Sequence, residues 1–134
     1  MYDAYLAGEG ILRASLLGVI PLADTQGKGD IARAELMRFF AETAWYPTAL
    51  LPSQGVRWEP VDDTSAMATL TDGEITVKLF FRFNQDGLIE SVRAEDRGRT
   101  VGSEMIPTPW EGRWTNDEMR HGILIPLEGE VAWI

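Results

Sequence analysis

Cysteine is absent from this 134-residue sequence and histidine occurs once, as His121. Disulfides, thiolate nucleophiles and cysteine-ligated zinc are therefore excluded. One imidazole leaves no His-His metal site and room for at most one histidine-based triad. Cationic residues are also scarce, 12 against 21 acidic ones, for a net charge of −9. Nucleic acid and anionic membrane surfaces need clustered Lys and Arg, so neither is expected as a partner. No apolar run approaches the roughly 20 residues of a membrane-spanning helix, and no charged-then-apolar leader opens the chain. Neither an envelope nor a cytoplasmic location is favoured by these residues.

What is present is an ordinary globular composition, 45% hydrophobic and 25% charged, enough for one domain with a core of its own. Both ends are apolar and strand-like, "MYDAYLAGEG" and "GEVAWI", where a domain usually frays into polar residues. They suggest a segment of a longer protein.

Residues 2–20 read as extended, with a bend at Gly8 and Gly10 and a doubly covered strand through Leu16, Leu17, Val19 and Ile20. "DTQGKGD" reads as a loop and Asp30 as an N-cap. A helix follows over about 31–44. Ala32, Leu36, Phe39, Phe40 and Ala44 make its apolar stripe, and Arg33, Glu35, Arg38 and Glu42 its polar side. Pro47 ends it. From there the chain reads as five to seven antiparallel strands. The clearest is "EITVKLFFRFN", with Ile75, Val77, Leu79, Phe81 and Phe83 on one face. Asp72-Gly73 and Asp86-Gly87 mark hairpins, and "GRTVGSEMIPTP" reads as a longer connection. The order predicts an α+β fold: a curved antiparallel sheet, half-barrel-like, wrapped around one main helix.

The segments "ELMRFFAETAWYPTALLPSQGVRWEPVDD", "TLTDGEITVKLFF", "VRAEDRGR", "PTPWEGR" and "GEVAWI" together resemble an uncharacterised bacterial family of unknown function, over nearly the whole chain. That family is similar in turn to the half-barrel carriers of periplasmic lipoproteins. The resemblance implies a full form longer at the N-terminus, of which these residues are the C-terminal part. It also implies an aromatic, often found between the last two arginines of the charged strand, where this sequence has Gly98.

Four constellations bear on function. "AWYPTALLPSQGVRWEP" is rich in aromatics and proline; Trp45, Tyr46, Leu50 and Leu51 form either a lid over a cavity or a plug sealing an open sheet end. Arg93, Glu95, Arg97 and Arg99 alternate onto one strand face, either as a clamp for a carboxylate or phosphate or as a cross-strand ladder with Glu111, Glu118, Glu128 or Glu130. Trp110 and Trp114 flank Gly112, opposite Glu111 and Arg113, as a ligand slot or a strand bend. Asp62, Asp63 and Asp72 lie at hairpin ends and match no calcium loop. Glu95 and Glu111 could divide acid and base roles, but no nucleophile–base pair stands out, so no catalytic residue, metal or cofactor is assigned.

The expectation is a non-enzymatic binding or carrier module for a lipophilic or acidic-headed small ligand held between helix and sheet. Trp45, Tyr46, Arg93, Glu95, Arg97, Arg99, Trp110, Glu111 and Trp114 are its candidate contacts, over a pocket lined by residues such as Leu36, Phe40, Leu79, Phe81 and Trp110. The alternative is a structural domain with a filled core that pairs through sheet edges with another copy or with an N-terminal region.

Overall fold

The strongest alternation in the chain, from Ile75 to Phe83, lies inside a six-stranded antiparallel sheet. The computed structural model describes residues 2–16 and 20–134. Three strands come first, β1 (Tyr2–Leu6), β2 (Glu9–Leu16) and β3 (Ile20–Gly27), paired in that order as a small antiparallel sheet. The expected doubly covered strand through Leu17 and Val19 lies outside the described residues. Helix α1 (Asp30–Ala41) and three 3-10 turns (Glu42–Trp45, Pro47–Leu50, Pro52–Gln54) follow. The chain then makes β4 (Val56–Asp62), β5 (Ser65–Asp72), β6 (Ile75–Phe83), β7 (Ile89–Val101), β8 (Glu104–Arg120) and β9 (Ile123–Trp133), each paired with its neighbour in sequence. The sheet is open and curved, and the fold is α+β, as the pattern implied. Among the described residues no helix is long and apolar enough to cross a membrane.

Helix α1 is covered from two sides, by β1–β3 and by β6 and β7. Two faces must therefore be apolar. Ala32, Leu36, Phe40 and Ala44 are buried as the stripe requires, but so are Ile31, Ala34, Met37 and Ala41. Phe39, assigned to the stripe, is instead 41% exposed, and Glu35, assigned to the polar side, is buried at 6%. Asp30 is the first helical residue and makes no capping hydrogen bond; Gly29 holds the cap position. The carboxylate still sits in the first turn, where the helix dipole favours negative charge. The regular helix stops at Ala41, sooner than expected. Thr43 Oγ1 donates to the Phe40 carbonyl at 2.6 Å, and Tyr46, before Pro47, has left the helical region at φ −141° and ψ 65°.

Phe40, Met37, Val77, Leu79, Phe81 and Val92 are fully enclosed between α1 and the sheet. Phe81 is the centre of an aromatic cluster, its ring 5.6 Å from Phe40 and 5.1 Å from Trp58. Two stretches read as loops are strand. Asp24–Gly27 pairs with β2 as the end of β3, and "GRTVGSEMIPTP" is the tip of the long β7–β8 hairpin, closed by Val101 and Glu104. Glycine and proline in those stretches suggested loops, but cross-strand pairing decided the conformation. In the β5–β6 hairpin Asp72 pairs with Ile75, so the two loop residues are Gly73 and Glu74, one position later than expected. Gly73 takes φ +57° there, a value L side chains rarely adopt.

Candidate functional site

Tryptophan and arginine meet at one end of the sheet because of a single extra residue. Between Ala94 and Arg97 the β7–β8 register shifts: Ala94 faces Trp110 while Arg97 faces Thr108. Three steps along β7 match two along β8, which is a β-bulge. The bulge splits the expected row of four charged side chains. Before it, Arg93 and Glu95 form a surface network: Arg93 Nε donates to Glu95 at 2.6 Å, and Glu111 lies 3.8 Å from Arg93 and 2.7 Å from Arg113. The hydrogen bond to Glu95 raises the Arg93 pKa, and its counterpart lowers that of Glu95. This half of the row is the cross-strand ladder, through Glu111. Glu118 pairs with Arg120 instead, and Glu128 meets Asn116. Glu95 and Glu111, weighed for acid–base work, are thus both engaged by Arg93.

After the bulge, the Arg97 guanidinium lies over Trp110 at 4.8 Å and over Trp133 at 5.6 Å, and Arg99 lies over Trp133 at 5.5 Å. These are cation–π distances. Both arginines line a cavity of about 520 Å³ between α1 and the ends of β7, β8 and β9. Its walls include Trp45, Trp110, Trp114 and Trp133, with Met105, Val131, Ile31 and Ala34 between them. The volume falls within the roughly 300–1,000 Å³ usual for small-molecule sites.

Two glycines make room for the rings. A Cβ on Gly112 would meet Trp110 at 3.2 Å and Trp114 at 3.4 Å, and one on Gly129 would collide with the Trp114 ring. Gly112, weighed as part of a slot or as a strand bend, leaves backbone bare beneath the Trp110 and Trp114 rings. Gly98 also lines the cavity, and a Cβ there would lie 2.5 Å from Met105 Sδ. A larger side chain at this position would take space from the cavity mouth.

The electrostatics of the cavity rest on α1 and β7. Glu35 is buried among the cavity walls, and burial pushes its pKa up to about 7; Arg97 pulls the other way and Glu42 adds to the rise. Burial lowers the Arg97 pKa, with Glu35 partly offsetting it. Arg38 pairs with Glu42 at 2.8 Å along the helix. Arg97 Nε and Trp114 Nε1 are buried and have no acceptor among the described residues. A buried donor without a partner carries a free-energy cost, so such groups call for an explanation. Glu35 was missed because the four-residue helical period placed it on the solvent side; Trp133 because a terminal aromatic reads as strand core.

The residues of the aromatic-proline segment lie in different surroundings. Trp45 is a cavity wall, tilted against Trp114 at 4.9 Å, with its Nε1 donating to the Pro126 carbonyl at 3.0 Å. Tyr46 is not part of the cavity; its ring stacks on Phe39 at 5.5 Å and its hydroxyl donates to the Phe39 carbonyl. Leu50 packs on the core and its carbonyl accepts from Trp58 Nε1, while Leu51 is exposed. The segment is therefore pinned at three points. Of the residues expected to line a pocket, Leu36, Phe40, Leu79 and Phe81 are solid core and only Trp110 faces the cavity. The space runs along α1 and past its end, from Ile31 to Glu42, on the side that faces β7, β8 and β9, beside the solid core rather than within it.

The aspartates serve turns. Asp62 accepts from the Thr64 amide, and Asp72 accepts from the Tyr5 hydroxyl at 2.7 Å, tying β1 to the β5–β6 hairpin. His121 lies in the β8–β9 turn at φ +50°. No curated protein and no solved structure matches the chain. A family model does match, over residues 1–134, and by it the chain belongs to DUF6920, a family of unknown function.

Proposed function

We propose that this domain is a non-enzymatic binding or carrier module that holds a small amphipathic ligand in the tryptophan-walled cavity, with an acidic head directed to Arg97. The observation that carries this reading is a buried guanidinium Nε lacking an acceptor at the wall of a 520 Å³ space lined largely by aromatic and aliphatic side chains. A ligand anion would accept from the Arg97 guanidinium, and flat indole rings would cover its apolar body. Pinning of Trp45 to Pro126 favours a preformed site over one that must close. Glu111 and Arg93 lie away from this cavity and are assigned to the surface ladder.

One observation favours a second reading, an interaction domain. Strand β9 is an edge strand of the large sheet and exposes Ile123, Leu124, Leu127 and Val131, with exposed Ile134 directly after it. A long apolar edge of this kind is a template for strand pairing. Native mass spectrometry of the purified chain, followed by denaturing extraction, separates the two. A lipophilic acid released from a monomer supports the carrier reading. A ligand-free dimer, unable to take up added amphiphile, sinks it in favour of edge pairing.

A further inference from the structure

The cavity places one buried acid, Glu35, beside one half-buried cation, Arg97, whose buried Nε has no acceptor among the described residues. Arg97 offers Nε at the edge of its guanidinium while Trp110 and Trp133 lie against the group. An edge donor suits a planar carboxylate, which can accept from two guanidinium N–H groups at once. Glu35 stands in the same cavity, and among the described residues the charges around it come from few places. On its own helix is Arg38, engaged by Glu42 from the following turn. From β7 come Arg97, exposed Arg99 at the mouth, and Asp96, which Arg33 holds at 2.7 Å. The cavity residues of β8 and β9 are Met105, Trp110, Trp114, Gly129, Val131 and Trp133, none of them charged, and β2 meets the helix at Ile31 and Ala32 through Gly10.

Within this wall Glu35 and Arg97 balance one another. An incoming anion would put a second negative charge beside Glu35, itself buried at 6% exposure, and two neighbouring carboxylates there cannot both stay ionised cheaply. One proton shared between them removes the repulsion and adds a hydrogen bond. Burial has already brought Glu35 to about 7, so the proton is available near neutrality.

We infer that the ligand is a single-carboxylate amphiphile captured together with one proton from solvent, which Glu35 holds and donates to the bound head while Arg97 donates to the same head. This rests on the carrier reading above. The apolar body is either an acyl chain or a flat ring system; the carboxylate is common to both.

The test is isothermal titration calorimetry of the wild-type chain with decanoate and 2-naphthoate, and with decyl phosphate and decanol as head-group controls. Each is run at pH 6, 7.5 and 9 in buffers of different ionisation enthalpy, which counts protons taken up. At least one of the two acids is expected to bind, with affinity level below pH about 7 and falling toward tenfold per pH unit above it as uptake approaches one proton. Glu35→Gln should bind that acid at pH 6 within about threefold of wild type and lose the pH dependence. Which acid binds identifies the source. Equal acid affinity from pH 6 to 9 without proton uptake would overturn proton-coupled capture and leave the carrier reading standing. So would a Glu35→Gln chain that keeps the pH dependence. Tighter binding of decyl phosphate, or equal binding of decanol, overturns the carboxylate assignment. Failure of all four compounds to bind at any pH removes the carrier reading and the inference with it.

Discussion

Arg97 and Arg93 lie on the same strand four residues apart, yet Arg97 rests on Trp110 and Trp133 while Arg93 reaches the surface carboxylates of Glu95 and Glu111. The bulge between them gives them different energetic roles. Arg97→Ala removes a cation–π contact worth about 0.5–2 kcal/mol and the packing of the stem against the rings. Arg93→Ala breaks a surface network whose members are solvated, and should change stability little. Urea unfolding of the two variants checks this. Equal losses would mean that the tryptophans do not hold Arg97.

Gly129 lies beneath the Trp114 ring. Gly129→Ala forces the indole off the β9 backbone and into the cavity, and overpacking of this kind costs about 1–3 kcal/mol. Gly129→Ala should therefore unfold at lower urea and also lose ligand capacity. Gly102→Ala is the comparison: its added Cβ meets nothing, although the backbone there has φ +64°. That variant should lose stability through backbone strain and keep the cavity.

Glu35 titrates within the folded chain at about 7, raised from about 4.5 chiefly by burial. The folded state then binds more protons than the unfolded state between those values, so this residue's contribution to stability falls as pH rises through that window. Glu35→Gln is expected to be more stable than wild type at pH 8, with the difference shrinking toward zero below pH 4.5. Chemical denaturation at pH 4.5, 6 and 8 measures it. A constant difference would place the titration elsewhere.

Phe81 contributes to the solid part of the core, in contact with Phe40 and Trp58. Phe81→Ala should cost about 3–5 kcal/mol, the range for removing a fully buried ring. Trp45→Phe keeps a ring against Trp114 but deletes the bond to the Pro126 carbonyl. A loss of about 0.5–1.5 kcal/mol is expected by the same unfolding assay.

Period and turn chemistry made β6, the hairpins and the helix readable before any coordinates. Ile75 to Phe83 alternate because the sheet there has one face on α1 and one outward. The features that escaped share a cause, which is that tertiary pairing reset a local rule. Glu35 is buried because β7, β8 and β9 reach past the core to the side of α1 that a one-sided helix would leave to water. Arg93, Glu95, Arg97 and Arg99 divide because the bulge changes the phase of the strand, and no residue in that stretch announces it. Asp24–Gly27 has loop composition and strand pairing. The cavity itself was illegible, since filled and unfilled interiors demand the same apolar side chains; its position at Trp110, Trp114 and Trp133 follows from where Gly112 and Gly129 admit the rings.

Four of the five tryptophans, Trp45, Trp110, Trp114 and Trp133, surround one space, and the fifth, Trp58, packs against Phe81 and Phe83. The chain consequently carries its own optical reporter. Any molecule that enters the cavity changes the surroundings of four emitters at once and leaves the remaining one as an internal reference, so occupancy can be read from unlabelled protein by the colour and intensity of its ultraviolet emission.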